Sequence, residues 1–440
     1  MIVMKFGGTS VESRDAIARL RSIVESRRDR QPVVVVSAMG KTTNKLLAMA
    51  EEAVKGGRDR ALELCAELKA YHEKEAGPHP AIEPHFAELA ELLKGLSVLG
   101  EMTPRSIDAI SSYGERLSSI LVANALGAVH ADSRDYIITD DRHAQAAPLY
   151  GPTFERLKKL PRGQIVVMGG FIGSTKDGIT STLGRGGSDF SAAIIGAGIG
   201  AEEIQIWTDV DGMLTSDPRI ISGGKRVKTI SFAEAAELAY FGAKVLHPST
   251  VVPAIEKNIP VLILNSRRPD VEGTRIVAES VPCKNVAKSI ACKTGITVVN
   301  IQSTRMLMAH GFLRRIFEAF DKHQTPVDMV ATSEVSVSLT IDNPTRLSAI
   351  LDDLRQFAEV QSENSQAIVC LVGDNIRQTP GVANRLFRAL SKVNVRMISQ
   401  GASKLNMSVV VAESDLRPAV ESLHAEFFSD LDPTVFATGE

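Results

Sequence analysis

The chain is poor in cysteine and in aromatic residues. Its 440 residues include four cysteines and one tryptophan, and aromatic residues make up only 5%. Cys65, Cys283, Cys292 and Cys370 are far apart in the sequence, with no C-x-x-C pair of the kind that binds zinc. We therefore expect reduced, structural thiols and no metal site.

Net charge and long apolar runs are also missing. The 50 basic and 52 acidic residues nearly cancel, which leaves a formal charge of −2 and no overall attraction for nucleic acid or an anionic membrane. No apolar run approaches the roughly 20 residues that span a bilayer, and the first residues lack the pattern of a signal peptide. These absences predict a cytoplasmic protein whose partners are small molecules, not nucleic acid or membrane.

The first two thirds of the chain have the pattern of an α/β domain. Up to about residue 280, short apolar runs rich in β-branched residues alternate with amphipathic or Ala-rich stretches, as expected for a mainly parallel sheet sandwiched by helices. A helical hairpin is predicted for residues 57–110, where a Pro/His interruption divides two helical stretches. The predicted strands are 2–6, 33–36, 165–168, 204–207 and 261–264.

The last third contains an internal repeat. Residues 311–322 can be laid over residues 381–392 at a constant offset of 70 residues, so that Gly311 matches Gly381 and Phe317 matches Phe387. Each copy has the order strand, Gly-initiated helix, strand, strand, which is most of a ferredoxin-like module. The predicted strands are 296–301, 327–330 and 335–341 in the first copy, and 368–372, 395–398 and 407–411 in the second. We expect modules at 293–362 and 363–440, with a strand from 286–294 available to complete the second.

Two glycine-rich loops each lead from a predicted strand into a helix. In the first, Lys5 ends a strand and is followed by Gly7 and Gly8, an arrangement that can cradle phosphate with backbone N–H groups and a positive charge. In the second, the planar guanidinium of Arg185 can donate two parallel hydrogen bonds to a carboxylate, and Asp189 can accept a hydrogen bond from an ammonium or cap the helix. A tight turn and a helix cap would explain the two loops without any ligand.

An acidic segment follows the predicted strand at 204–207. Thr208, Asp209, Asp217 and Arg219 come after its carboxyl end, where open α/β sheets bind ligands, so a nucleotide or metal–nucleotide site fits. An ordinary acidic turn would explain Asp217 equally well. Glu115 and Lys244 would each be interpreted, in isolation, as ordinary surface or helix-end charges.

One apparent nucleotide motif is rejected. Gly40-Lys41-Thr42 looks like the end of a Walker A loop, but that motif needs a glycine where the chain has Val35. The sequence therefore does not predict a P-loop enzyme.

Four motifs in order resemble those of the aspartate kinases of the amino-acid kinase superfamily, and the duplicated module resembles tandem ACT domains. The resemblance covers essentially the whole chain, and the segment 333–338 is similar to the lysine-sensitive, single-function branch. The four motifs are Lys5-Phe-Gly-Gly-Thr-Ser10, Leu183-Gly-Arg-Gly-Gly-Ser-Asp189, Thr208-Asp-Val-Asp-Gly212 and Phe241-Gly-Ala-Lys-Val-Leu-His-Pro248.

The resemblance implies a role for each candidate residue. Lys5, Asp209 and Lys244 would be catalytic, and Glu115 and Arg185 would hold the ammonium and the α-carboxylate of aspartate. Ser37, Thr43 and Asp189 would complete the substrate site. The nucleotide site would contain Lys5, Gly7, Gly8, Thr208, Asp209, Asp217, Arg219 and Lys244. Many relatives have tyrosine where this chain has Leu214, which puts aromatic packing on the nucleotide in question.

The resemblance also implies the reaction and its regulation. The γ-phosphoryl group of ATP, bound with Mg²⁺, would pass to the β-carboxylate of L-aspartate in the first step of the lysine, threonine and methionine pathway. Lysine would inhibit through the first ACT module, and a homodimer or dimer of dimers would form through the ACT modules. The implied effector-binding residues are Met306, Gly311, Phe312, Asp328, Thr332 and Ser333. A glutamate or acetylglutamate kinase, or a non-catalytic amino-acid sensor, remains an alternative.

Overall fold

The computed structural model describes residues 1–242, 248–303 and 310–437, which fall into two compact units. The first unit is Met1–Met213 with Val245–Glu279, and the second is Leu214–Lys244 with Ser280–Glu440. The strands, in chain order, are β1 (Ile2–Phe6), β2 (Pro32–Val36), β3 (Val129–Ala131), β4 (Ile138–Thr139), β5 (Val166–Gly169), β6 (Ile172–Thr175), β7 (Thr180–Thr182), β8 (Ile204–Thr208), β9 (Thr229–Ser231), β10 (Val261–Asn265), β11 (Thr274–Val277), β12 (Ser289–Gln302), β13 (Val330–Thr332), β14 (Ser336–Ile341), β15 (Glu359–Val372), β16 (Val395–Gln400) and β17 (Asn406–Ala412).

The helices alternate with the strands in the first unit and cover the sheet in the second. They are α1 (Arg14–Glu25), α2 (Thr42–Val54), α3 (Arg58–Ala76), α4 (Glu83–Leu99), α5 (Pro104–Ser111), α6 (Tyr113–Leu126), α7 (Tyr150–Leu157), α8 (Gly187–Ile199), α9 (Phe232–Tyr240), α10 (Val252–Glu256), α11 (Phe312–Lys322), α12 (Leu347–Arg355), α13 (Val382–Ala389) and α14 (Leu416–Phe427). Among the residues that the structure describes, none of these helices has the length and apolarity to cross a membrane.

The first unit is built on a mainly parallel sheet, as predicted. Seven of its strands lie in the order β3-β5-β2-β1-β8-β10-β11, and only the β10–β11 pair is antiparallel. The four valines of β2 have no exposed surface, because helices cover both faces of the sheet. The register pairs Phe6 with Val36 and Trp207, and Val36 with Gly169. The carboxyl ends of β1, β2, β5 and β8 therefore lie side by side.

The helical hairpin predicted at 57–110 is also confirmed. Helices α3 and α4 pack together, and Leu68, Leu89 and Leu93 belong to the main core of the unit. Helix α5 follows, capped by the Thr103 side chain, which accepts a hydrogen bond from the Ser106 N–H at 3.2 Å. Only Ser112 separates α5 from α6.

The second unit contains a six-stranded sheet in the order β13-β14-β12-β15-β17-β16. Strands β12 and β15 pair along their full lengths, so each one runs through both copies of the repeat. Helices α11 and α13 each begin after a glycine, Gly311 or Gly381, with φ of 81° and 83°. The strand predicted at 327–330 was misplaced: β13 spans Val330–Thr332, because the regular ladder with β14 begins only where Val330 pairs with Leu339.

Helix α9 of the second unit begins with a capping box formed by Ser231 and Glu234. The Ser231 N–H donates to the Glu234 side chain at 2.9 Å, and the Glu234 N–H donates to the Ser231 hydroxyl at 3.2 Å. The same carboxylate pairs with Lys288 at 2.9 Å, and neither charged side chain has any exposed surface. This buried ion pair joins the start of α9 to the sheet.

Candidate active site

A cavity of ≈ 320 Å³ lies in the first unit at the carboxyl ends of the parallel strands. This is where ligands bind in open α/β sheets, because the loops that follow neighbouring strands converge there. Six of the residues predicted from the sequence line it: Lys5, Gly8, Ser37, Thr43, Glu115 and Asp189.

Lys5 lies near the end of β1 and is paired with Asp189. Its ammonium lies 2.7 Å from Asp189, and the two side chains are only 11% and 16% exposed. Gly8 lies on the same wall, where an added Cβ would come within 2.9 Å of the Ala38 carbonyl oxygen. Gly7 does not line the cavity, and its N–H donates to the Trp207 carbonyl at 3.2 Å.

Glu115 is the buried acid of the cavity. The Ala38 N–H donates to its Oε1 at 3.1 Å, while Oε2 has no hydrogen-bond partner among the residues that the structure describes. Burial raises the pKa of this carboxyl to about 8, although the Ala38 hydrogen bond and the charge of Lys5 act in the opposite direction. A ligand cation placed at Oε2 would satisfy the orphaned oxygen and favour the ionised form.

The second glycine-rich loop forms the opposite wall. Gly184, Gly186 and Gly187 line the cavity, and the first two have left-handed φ of 74° and 71°. Arg185 lies between them with an exposed side chain, outside the cavity lining. No carboxylate among the described residues lies within 4.0 Å of its guanidinium, which leaves it open to an anionic ligand.

Phe171 lines the cavity and had no predicted role. It follows β5 with a left-handed φ of 65°, and its ring lies where a side chain on Gly187 would be, 2.7 Å from an added Cβ. Such a backbone conformation in a bulky residue is uncommon and concentrates at functional sites. The glycines at 169 and 170, directly after a buried strand, were the sequence signal that could have identified this position.

The profile of the amino acid kinase family matches residues 1–265, and that of the ACT domain matches residues 369–427. The chain is 41% identical to Arabidopsis thaliana chloroplastic aspartokinase 3, covering 97% of this chain and 81% of the relative. It is 37% identical to the lysine-sensitive aspartokinase 3 of Escherichia coli, covering 97% and 99%. The chain belongs to the aspartokinases.

Solved structures agree with this assignment. E. coli aspartokinase III in complex with lysine and aspartate has a TM-score of 0.83 at 36% identity, covering 97% of this chain and 99% of that one. The same enzyme with aspartate and ADP has a TM-score of 0.80 at 35% identity, covering 97% and 100%. This aspartokinase is accordingly an ATP-dependent kinase with an amino-acid kinase domain and an ACT region.

The residues predicted to contact the nucleotide are divided between the two units of this aspartokinase. Thr208 ends β8 in the first unit, and its hydroxyl donates to the carboxylate of the following Asp209 at 3.3 Å. Asp217 and Arg219 belong to the second unit and form an ion pair at 2.6 Å. The Asp-Pro sequence by itself accounts for the turn in which they lie. Lys244 lies outside the described residues.

The predicted effector residues belong to the second unit. Phe312 is only 7% exposed and packs edge-on against the Phe357 ring, so its side chain is part of the module's core. Gly311 starts α11, and Thr332 and Ser333 are exposed at the end of β13. Met306 lies outside the described residues.

Asp328 is the most constrained of these residues. Its Oδ1 lies 2.8 Å from the Lys293 ammonium and 3.4 Å from the Tyr240 hydroxyl, and its side chain is 6% exposed. Lys293 also pairs with Asp342 at 2.8 Å. Burial raises the pKa of Asp328, while Lys293 opposes the shift. Asp328 Oδ2 is buried and has no hydrogen-bond partner in the described part of the chain.

Proposed function

We propose that this aspartokinase transfers the γ-phosphoryl group of ATP to the β-carboxylate of L-aspartate, giving 4-phospho-L-aspartate, as the first step of the lysine, threonine and methionine pathway. The observation that carries the proposal is the cavity that brings Lys5, Glu115 and Asp189 together between two glycine-rich loops. The solved relatives that contain aspartate, and aspartate with ADP, support the same pair of ligands.

A buried acid inside the cavity and an exposed cation beside it complement an α-amino acid. Glu115 Oε2 has no hydrogen-bond partner among the described residues and is suited to the ammonium, while Arg185 has no carboxylate of the described chain beside it and is suited to the α-carboxylate. Ser37 and Thr43 line the same space and can donate hydroxyl hydrogen bonds to the side-chain carboxylate. Together these groups orient the β-carboxylate toward Lys5.

The chemistry requires charge neutralisation rather than a base. A carboxylate with a reference pKa near ~3.9 is already ionised at neutral pH, so the nucleophile needs no proton acceptor. Phosphoryl transfer then depends on in-line positioning and on cations around the transferring group. Lys5 supplies one cation inside the cavity, and we assign Lys244, Thr208, Asp209, Asp217 and Arg219 to the nucleotide side. Mg²⁺ enters as the complex with ATP, since it usually binds through substrate phosphates.

Acceptor specificity provides the test. ADP release is measured with saturating Mg·ATP and with L-aspartate, L-glutamate or N-acetyl-L-glutamate at concentrations below KM. We expect kcat/KM for aspartate to exceed that for the other acids by at least about 100-fold, because an extra methylene displaces the carboxylate from its in-line position. Equal turnover of aspartate and glutamate would contradict the assignment.

We propose lysine as the feedback inhibitor, with Asp328 binding its side-chain ammonium. Asp328 already accepts a primary ammonium, that of Lys293, so its charge suits such a ligand. Its Oδ2, which has no hydrogen-bond partner among the described residues, offers a second acceptor. The E. coli structure that contains lysine and aspartate supports this choice of effector.

We further propose the domain limits and the assembly. The catalytic domain would span 1–280, and the ACT modules would span 293–362 and 363–440, with residues 286–294 completing the second. Pairing of Ser289–Lys293 in β12 with Ile368–Val372 in β15 supports that completion. A homodimer or dimer of dimers would form through the modules, consistent with the apolar side chains of Leu313 and Phe317, each 41% exposed on α11.

A further inference from the structure

Asp108 is a fully buried carboxylate outside the cavity lining, and the proposed reaction does not use it. It lies on α5 with no exposed surface. It accepts hydrogen bonds from His143 Nδ1 at 2.7 Å, from the Ala144 N–H at 3.0 and 3.1 Å, and from the Thr182 hydroxyl at 2.5 Å. If this buried carboxylate moved, each of its three donors would lose its hydrogen-bond partner, so its position is strongly constrained.

Two of these donors control the start of the second glycine-rich loop. Thr182 is the last residue of β7, and its carbonyl also accepts the Ala146 N–H at 2.9 Å. Ala144 has a left-handed φ of 70°, and its carbonyl oxygen lies 3.3 Å from where a Cβ on Gly184 would be. The Asp108 carboxylate therefore holds both the strand that enters the loop and the segment against which the loop packs.

The backbone of Asp108 belongs to the helix that precedes the Glu115 helix. Thr103 caps the start of α5, and Pro104 occupies its first position. A single residue separates α5 from α6, which carries Glu115 into the cavity. Asp108 thus links the element that carries the buried acid to the loop that carries Arg185.

We infer that Asp108 is a positioning residue that sets the separation between Glu115 and the Gly184–Gly187 loop, and thereby the strength with which the α-ammonium and α-carboxylate of the acceptor are bound. The inference rests on the proposed function, in which these two groups hold the ammonium and the α-carboxylate of aspartate. A change in that separation weakens the binding of the acceptor amino acid but leaves Lys5 and the nucleotide residues in place.

The test uses Thr182→Val, which keeps the side-chain shape and removes the hydroxyl donor, with Thr182→Ser, which keeps the donor. We expect Thr182→Val to raise the aspartate KM about tenfold, the loss expected for one hydrogen bond to a charged group, with kcat and the ATP KM unchanged within about twofold. Glutamate carries the same α-ammonium and α-carboxylate, so its kcat/KM should fall by about the same factor, and the preference for aspartate should stay unchanged within about twofold. Thr182→Ser should resemble the parent enzyme.

Thr153→Val is the matched control, since Thr153 is another fully buried threonine of the first unit, with its hydroxyl bonded to Ile138. It should lower Tm without changing the aspartate KM. If Thr182→Val does not fold, His143→Leu replaces it, with His143→Asn as the donor-retaining partner. An unchanged aspartate KM, or equal rises in both KM values, would overturn the inference. Failure of the parent enzyme to use aspartate would instead overturn the proposed function.

Discussion

The raised pKa of Glu115 makes aspartate binding depend on pH in a defined direction. With a pKa of about 8, the neutral form of this carboxyl predominates at pH 7. In the proposed site the aspartate ammonium would bind the ionised form, so binding would require loss of the proton. The apparent aspartate KM should therefore rise as pH falls below 8, and approach a constant value above about pH 9.

The size of the effect follows from the same pKa. For a single group that must be ionised, the apparent KM increases as pH falls, by about twofold at pH 8 and about tenfold at pH 7, relative to its high-pH limit. Initial rates of ADP release, measured against aspartate concentration from pH 6.5 to 9 at saturating Mg·ATP, give this profile directly. The ATP KM, measured in parallel, should not follow it. Calorimetry in buffers of different ionisation enthalpy should detect nearly one proton released per aspartate bound at pH 7.

Glu115→Gln is the decisive variant, because it keeps the shape of the side chain and removes its titration. Its aspartate KM should be high and nearly independent of pH over the same interval. A flat aspartate KM in the parent enzyme between pH 6.5 and 8.5 would refute the assignment of Glu115 as the ammonium ligand. An unchanged slope in Glu115→Gln would show that another group carries the titration.

The other predictions concern the two units separately. Lys5→Ala should lower kcat by about 10²–10³ with little change in the aspartate KM, since the contact that Lys5 makes strengthens as charge moves in the transition state. A nearly unchanged kcat would mean that the first glycine-rich loop is only a structural turn. Asp328→Ala should abolish inhibition by lysine while the uninhibited kcat stays within about twofold, because the sites are coupled only through a conformational equilibrium; undiminished inhibition would exclude this site. Lys288→Met should destabilise the second unit by about 3 kcal/mol, seen as a lower Tm, because it leaves the buried Glu234 charge without its partner. Adding Glu234→Gln should restore part of that loss.

The sheet and most of the helices were predictable from the sequence because burial imposes local patterns. The β-branched runs 33–36 and 204–207 became fully buried parallel strands. The strand at 327–330 was misplaced because an apolar pattern does not show where pairing with the neighbouring strand begins and ends. The long strands β12 and β15 cross the predicted module limits, since backbone pairing does not respect a sequence repeat.

The cavity was predictable only where a residue lies in a motif. Lys5 and Asp189 are 184 positions apart, yet both were identified from glycine-rich loops, and the structure brings them to 2.7 Å. Phe171 and Asp108 were missed because their positions depend on tertiary contacts. Phe171 has a strained backbone and packs against Gly187, and Asp108 accepts hydrogen bonds from two segments that are distant in the sequence. The ion pair between Lys293 and Asp328 was missed for the same reason.

Two buried charges of the cavity are compensated within the protein, and this bears on how the proposed site would receive two anionic substrates. Lys5 is paired with Asp189, and burial raises the pKa of Glu115 to about 8, which favours its neutral form at pH 7. In the proposed mechanism, the ammonium of aspartate would pair with Glu115 as the proton leaves. The ATP phosphates would compete with Asp189 for Lys5, which would place that cation on the transferring group. Each substrate would thereby bring about the charge that it needs, which lowers the cost of burying charges in the cavity.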